Sequence, residues 1–148
     1  MRGVGSSEAL GLERPETFDL LGFTHYWGRT RRGKWAVFRK TAADRFRRSV
    51  RAVYEWLRRH RHLPVVEQHR QLTWKLRGHW AYYGITGNYR SLAAFRFVVA
   101  RAWQKWLNRR SQGKHMPWDR FSRLVARYPL PKAEVVHSIS RRAAKPCS

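Results

Sequence analysis

Residues 41–60 read TAADRFRRSVRAVYEWLRRH, and this stretch decides the fold. Phe46, Val50, Val53, Tyr54 and Leu57 recur at helical spacing, so they share one face at about 100° per residue. Thr41 with Asp44 three residues on has the form of a weak capping box, which predicts a helix over 42–60 with Thr41 as its N-cap. Arg47, Arg51 and Arg58 lie on a strip beside the apolar face, while Arg48 and Arg59 lie opposite. The strip edges the core rather than replacing it.

The same period continues downstream. Pro64 suits the first turn of a second helix, about 64–82, with Val65, His69, Leu72, Leu76 and Tyr83 in register. The stretch 84–88, GITGN, is a turn by composition. A third helix, about 91–110, places Leu92, Phe95, Val99, Ala102, Trp103 and Trp106 inward and Arg96, Lys105 and Arg109 outward, with Gly113 beyond its end. A shorter fourth helix, about 117–128, groups Trp118, Phe121, Leu124, Val125 and Tyr128 before Pro129 and Pro131 stop it.

Upstream, TFDLLGFTHYWG (17–28) and KWAVFRK (34–40) are β-rich runs joined through RTRRG, with Gly33 available for a positive φ. They predict a β-hairpin over 17–40 whose tip is a cationic finger bearing Arg29, Arg31, Arg32 and Lys34. Ordinary solubilising charge is the plainer reading of that tip. Residues 1–16 read as a flexible lead and 132–148 as a basic tail containing one short extended run, Val135-Val136. The expected architecture is mainly α: a small basic bundle of about four helices over 41–131, preceded by the β-hairpin.

Composition narrows the function. The 148 residues carry 32 Lys and Arg against nine Asp and Glu, a net charge of +23. Residues 1–19 hold two of the cations and four of the acids, so the basicity belongs to the patterned region. Such a domain repels itself unless a polyanion is near. Arg outnumbers Lys 25 to 7, and a planar guanidinium grips phosphate bidentately and stacks on bases, which favours structured recognition over general stickiness. Eight Trp, six Tyr and seven Phe supply the core that a disordered chain lacks.

Other classes fall away. Cys147 is the single cysteine, so no internal disulfide framework and no CxxC zinc pattern can form. No apolar run reaches the roughly 18 residues of a membrane span, and the N-terminal stretch lacks a signal peptide's apolar region; a soluble, cytoplasmic protein without a membrane partner is expected. Metal-dependent phosphoryl transfer needs clustered carboxylates, and the nine acids are scattered. There is no HExxH and no GxSxG, and His60 with His62 in a basic linker is a poor metal pair. The residues point to a binding domain with no catalytic residue, metal or cofactor.

The densest feature is RGHWAYYGITGNYR, Arg77 to Arg90. His79, Trp80, Tyr82, Tyr83 and Tyr89 lie between two arginines and around three glycines. Rings that stack on splayed bases, arginines on phosphate and close glycine backbone fit single-stranded or structured RNA. Trp80 and Tyr83, three apart on a helix, equally suit a core.

Several stretches together resemble the C-terminal part of group II intron-encoded reverse transcriptase/maturases: TFDLLGFTHYWGRTRRGKW (17–35), KTAADRFRR (40–48), LRGHWAYYGITGNYRSL (76–92), RRSQ (109–112) and RYPLPKAEVVHSI (127–139). The resemblance covers about residues 13–146, in the family's order and spacing. It implies that the hairpin corresponds to the end of the polymerase palm, with Leu21-Gly22-Phe23 similar to an LGF motif, and the helices to the thumb, or maturase-specific domain X. It further implies binding of group II intron RNA to assist splicing, with Arg77, Tyr82, Tyr83, Tyr89 and Arg90 as RNA contacts, joined by Arg47, Arg51 and the finger from the residue reading. The family's metal-binding YADD-type motif has no counterpart here, which implies a truncated or split member. A separately encoded reverse transcriptase portion is then a second partner, and an in-trans subunit or a decayed fragment of that enzyme is the alternative identity. A non-specific basic DNA-packaging or ribosome-associated protein needs only the charge and leaves the aromatic segment unexplained.

Overall fold

The computed structural model describes residues 17–110 and 115–137. Three strands come first: β1 (Phe18–Leu20), β2 (Phe23–Arg29) and β3 (Trp35–Thr41), antiparallel in the order β1-β2-β3. Four helices follow: α1 (Ala43–Arg59), α2 (Val65–Tyr83), α3 (Tyr89–Asn108) and α4 (Trp118–Arg127). The architecture is mainly α, a four-helix assembly behind a small sheet. The predicted lead, Gly113 and residues 138–148 lie outside the described residues.

The sheet has one strand more than the hairpin expected. The apolar run 17–28 breaks at Leu21-Gly22, where both residues take positive φ (54° and 85°), the geometry a two-residue hairpin connection requires. Glycine accepts that conformation freely, whereas a leucine is strained there by about 1 kcal/mol. Leu21 is 76% exposed and has no packing to lose. Leu21→Asn, which creates the favoured Asn-Gly pair, is therefore expected to stabilise the protein by about 0.5–1 kcal/mol, read as a higher midpoint in thermal melts. The second connection is the predicted one: Gly33, at φ 78°, closes the loop by donating its N–H to the Thr30 carbonyl at 2.9 Å.

Thr41 is not the cap of α1. The N-cap is Ala42, with no side-chain hydrogen bond, and Thr41 is the buried last residue of β3. Its N–H donates to Asn88 Oδ1 at 2.8 Å, and its hydroxyl accepts from Asn88 Nδ2 at 2.8 Å. Asn88 Nδ2 also donates to the Tyr83 carbonyl at 2.8 Å, so one buried amide joins the sheet to the turn between α2 and α3. A Thr-x-x-Asp spacing describes a cap only when the threonine side chain is free to fold back, and here a residue 47 positions away has claimed it.

The helices bury the predicted stripes. Val53, Leu57, Leu72, Leu76, Trp80, Leu92, Phe95, Val99, Trp103 and Phe121 belong to one core, and α1 packs chiefly on α3. Between α1 and α2, Gln68 is buried to 1% exposure. Its Nε2 donates to the carbonyls of His60 and Arg61 at 3.0 and 3.2 Å, and its Oε1 accepts from Trp103 Nε1 at 2.9 Å.

Three further expectations are corrected. Helix α3 starts at Tyr89, two residues before the predicted start, with Asn88 at the N-cap position and its side chain bonded to Thr41 and Tyr83 rather than to the helix. Arg96, expected outward, donates through Nε to the Pro131 carbonyl at 3.0 Å and through Nη2 to the Leu130 carbonyl at 3.1 Å. Trp118, at the first turn of α4, meets Phe121 at 5.5 Å between centroids as the spacing groups them and is 48% exposed. The start of the predicted tail, up to His137, is ordered instead as an extended strap: Leu130 is buried, Ala133 and Val135 pack on the core, and His137 pairs in parallel with Ile85. The strap crosses Gly84 so closely that a Cβ there would lie 2.8 Å from the Glu134 carbonyl oxygen and 2.2 Å from that of Trp80. His137 Nε2 donates to the Ala81 carbonyl at 2.8 Å, which fixes that nitrogen as the protonated one.

His79 carries a pH dependence into this core. It is buried, its ring stacked 3.8 Å from that of Phe95, and burial pushes its pKa down from 6.5 to about 4. The neutral ring is the form the fold accepts, so its contribution is complete above pH 6.5 and is lost as pH falls toward 4, where the unfolded chain binds the proton first. The loss is expected to reach up to about 2 kcal/mol by about pH 5. Melts of the wild type and of His79→Phe across this window check it: the variant should lack that part of the slope.

Candidate nucleic-acid interface

The residues singled out by sequence fall into three places. The finger is the β2–β3 loop, where Arg31, Arg32 and Lys34 are exposed and Arg29 lies with its guanidinium carbon 4.7 Å from the Trp35 ring centroid. Arg47 and Arg51 are exposed on α1 beside Tyr54 and face a groove shared with α3. Arg77 and Tyr82 are exposed near the end of α2, and Tyr89 and Arg90 at the start of α3.

The tyrosine pair divides. Tyr83 is half-buried, packed edge-on to Phe23 at 5.4 Å and tilted against His79 at 4.6 Å; burial raises the pKa of its hydroxyl, with the neighbouring Tyr82 adding to the shift. It packs between the sheet and α2, the place that the core alternative gives it. Tyr82 is 54% exposed, but its hydroxyl donates to the Leu21 carbonyl at 2.8 Å and its ring lies parallel to Phe23 at 5.9 Å. The strained Leu21 turn thus presents its carbonyl to the latch that holds the sheet on α2. One face of the Tyr82 ring covers Phe23 and the rest of the side chain meets solvent.

Rings on which cations rest are the recurring element. Eight Arg or Lys side chains lie over aromatic rings, whereas the described residues form two ion pairs, Arg58–Glu55 at 3.4 Å and Arg70–Glu67 at 2.7 Å. A cation on a ring is positioned by the quadrupole without being neutralised, and its N–H groups remain free for phosphate oxygens. A carboxylate partner would consume both charge and donors. Arg70, 5.1 Å from the Trp74 ring, is the exception, since it also pairs with Glu67, and Lys75, 5.2 Å from the Trp56 ring, carries the pattern on α2. Trp74, 57% exposed, was missed by the sequence reading; its signal was its position outside the inward stripe.

No three His, Cys, Asp or Glu side chains cluster among the described residues, and no helix among them is long and apolar enough to cross a membrane. The chain matches no protein-family model, no curated protein and no solved structure.

Proposed function

We propose that the chain is an RNA-binding domain of the maturase type, which binds group II intron RNA and assists its splicing without polymerase chemistry of its own. The observation that carries the reading is the set of cations that rest over rings with no carboxylate partner among the described residues, Lys75 and Lys105 over rings of α1 and Arg109 over one of α3. It suits a ligand that offers phosphates and unstacked bases together, which folded RNA does and a regular duplex does not. The resemblance of residues 17–35, 40–48, 76–92, 109–112 and 127–139 to the intron-encoded maturases supplies the class of RNA.

Binding to a group II intron ribozyme is expected to fall linearly with salt on a log–log plot. Arg77→Ala should lower the steepness by about one, as removal of one phosphate contact does, and weaken the intron RNA more than a generic duplex. Filter binding over a salt series measures both. Equal loss on the two RNAs would remove the claim of specificity.

One observation favours the second reading, an in-trans subunit of a reverse transcriptase. Strand register puts Phe18, Leu20, Trp27, Trp35 and Val37 on one sheet face, all exposed, beyond the part that Tyr82 and Tyr83 cover at Phe23. Exposed apolar faces beside a free strand edge mark association sites. A chain that stays monomeric when mixed with a palm-bearing polymerase portion would end this reading.

A further inference from the structure

Between α1 and α3 run two cavities of about 550 and 590 Å³ that share Tyr54, Val98 and Lys105 in their walls, so they adjoin as the two sections of a groove. The first section is bordered by Arg47 and Arg51, the second by Arg101 and Trp118, where α4 begins. Lys105 Nζ stands 5.0 Å from the Tyr54 ring centroid, and the Arg101 guanidinium stands 5.1 Å from that of Trp118. No carboxylate lines either section among the described residues, and none of the four cations enters an ion pair with a described residue.

We propose that this groove holds a single-stranded segment of RNA, with phosphates following Arg47, Arg51 and Lys105 and one unpaired base stacked on Trp118. The proposal rests on the RNA-binding reading and gives it a site that the sequence reading did not assign.

Charge chooses the occupant class: four uncompensated cations in a concave surface concentrate a polyanion. The ring chooses between strands and duplex. A base can stack on an exposed indole only if it has left its own helix, whereas a duplex would use the cations and leave ring and cavity idle. Each section lies within the usual size of a small-molecule site, and so has room for a nucleotide. Arg47 and Arg51, like Arg101 and Lys105, are four residues apart on a helix, a rise of about 6 Å that is close to the spacing of successive phosphates on an extended strand. Arg101 stays beside Trp118 partly through Gln104, whose Oε1 accepts from its Nη1 at 3.4 Å.

The test uses the full chain with a labelled oligouridylate of about 12 nucleotides, within the site sizes of single-strand binders, and a blunt RNA duplex. Trp118→Ala is expected to weaken the oligouridylate roughly tenfold, the loss of one stacked base, and the duplex by less than about twofold. Trp118→Phe should restore most of the difference. Because Trp118 also touches Phe121, at 5.5 Å between centroids, an Arg51→Gln, Lys105→Gln double variant serves independently. It should flatten the salt dependence for the oligouridylate by about two contacts. Photocrosslinks from 4-thiouridine should map to residues 47–54 or 101–118. Unchanged oligouridylate binding in both variants, equal loss on strand and duplex, or crosslinks confined elsewhere would overturn the groove while leaving the RNA-binding reading in place. Absence of salt-dependent binding to the oligouridylate, the duplex and the intron alike would overturn both.

Discussion

Asn88→Ala is expected to destabilise the protein by about 3 kcal/mol and to release the sheet from the helices before the helices themselves melt. The side chain is 1% exposed and makes three hydrogen bonds, to the Thr41 N–H, the Thr41 hydroxyl and the Tyr83 carbonyl, each 2.8 Å. Its removal orphans the buried Thr41 N–H and leaves the Tyr83 carbonyl without this donor. An orphaned buried donor costs about 1–3 kcal/mol, more than the net gain of making its bond. Thr41→Val removes only the hydroxyl and should cost about 1 kcal/mol, so the difference between the two variants reports the two backbone bonds, to the Thr41 N–H and the Tyr83 carbonyl, together. Fluorescence from Trp27 and Trp35 on the sheet, set beside far-ultraviolet circular dichroism from the helices, separates the two events. Coincident transitions with a small shift would show that the sheet is held by the Tyr82 latch and packing alone.

Gln68→Leu is expected to cost about as much, roughly 3 kcal/mol, in spite of its added apolarity. The Trp103 Nε1–H loses its acceptor inside the core, and the carbonyls of His60 and Arg61, at the end of α1, lose their donor. The melting midpoint should fall by about 10 °C. A double-mutant cycle with Trp103→Phe apportions the loss: once the indole N–H is gone, Gln68→Leu should cost about 1 kcal/mol less. Additivity would show that the amide works only through the α1–α2 connection.

Both side chains show where the sequence was readable and where it was not. The four helices and the finger were legible because Val53, Leu57, Leu72, Leu76, Leu92, Phe95 and Val99 obey a local period, and Gly33 marks its turn. Gln68 and Asn88 obey none: their partners stand 35 and 47 positions away, and a polar residue reads as surface until the element covering it is known. The same limit explains Arg96, whose carbonyl partners arrive from the strap, and Thr41, whose local cap pattern lost to a distant amide. Leu21 was hidden in an apolar run because nothing about a leucine announces a positive φ.

At the interface, the helical period marked Arg47 and Arg51 as cations at the margin of an apolar stripe, and the resemblance named Arg77; all three are exposed. It did not divide the rings. Tyr82 and Tyr83 are adjacent and alike, and only the approach of Phe23 makes one a packing residue and leaves the other half open. Trp118 was grouped with Phe121 by spacing, yet it stands at the mouth of the groove under Arg101.

The strap places the aromatic segment under a constraint of time as well as space. The turn at residues 84–88 is fastened by Thr86 donating to the His137 carbonyl at 3.2 Å and by His137 donating to the Gly84 carbonyl at 2.8 Å. During synthesis, domains form progressively from the N-terminal side, at roughly 5–20 residues per second. Helices α1 to α3 are therefore complete in the chain before residue 137, and the turn between α2 and α3 is fastened last. A released chain that ends within α4 would hold the basic groove wall of α1 and α3 and leave the Arg77–Arg90 segment unfastened.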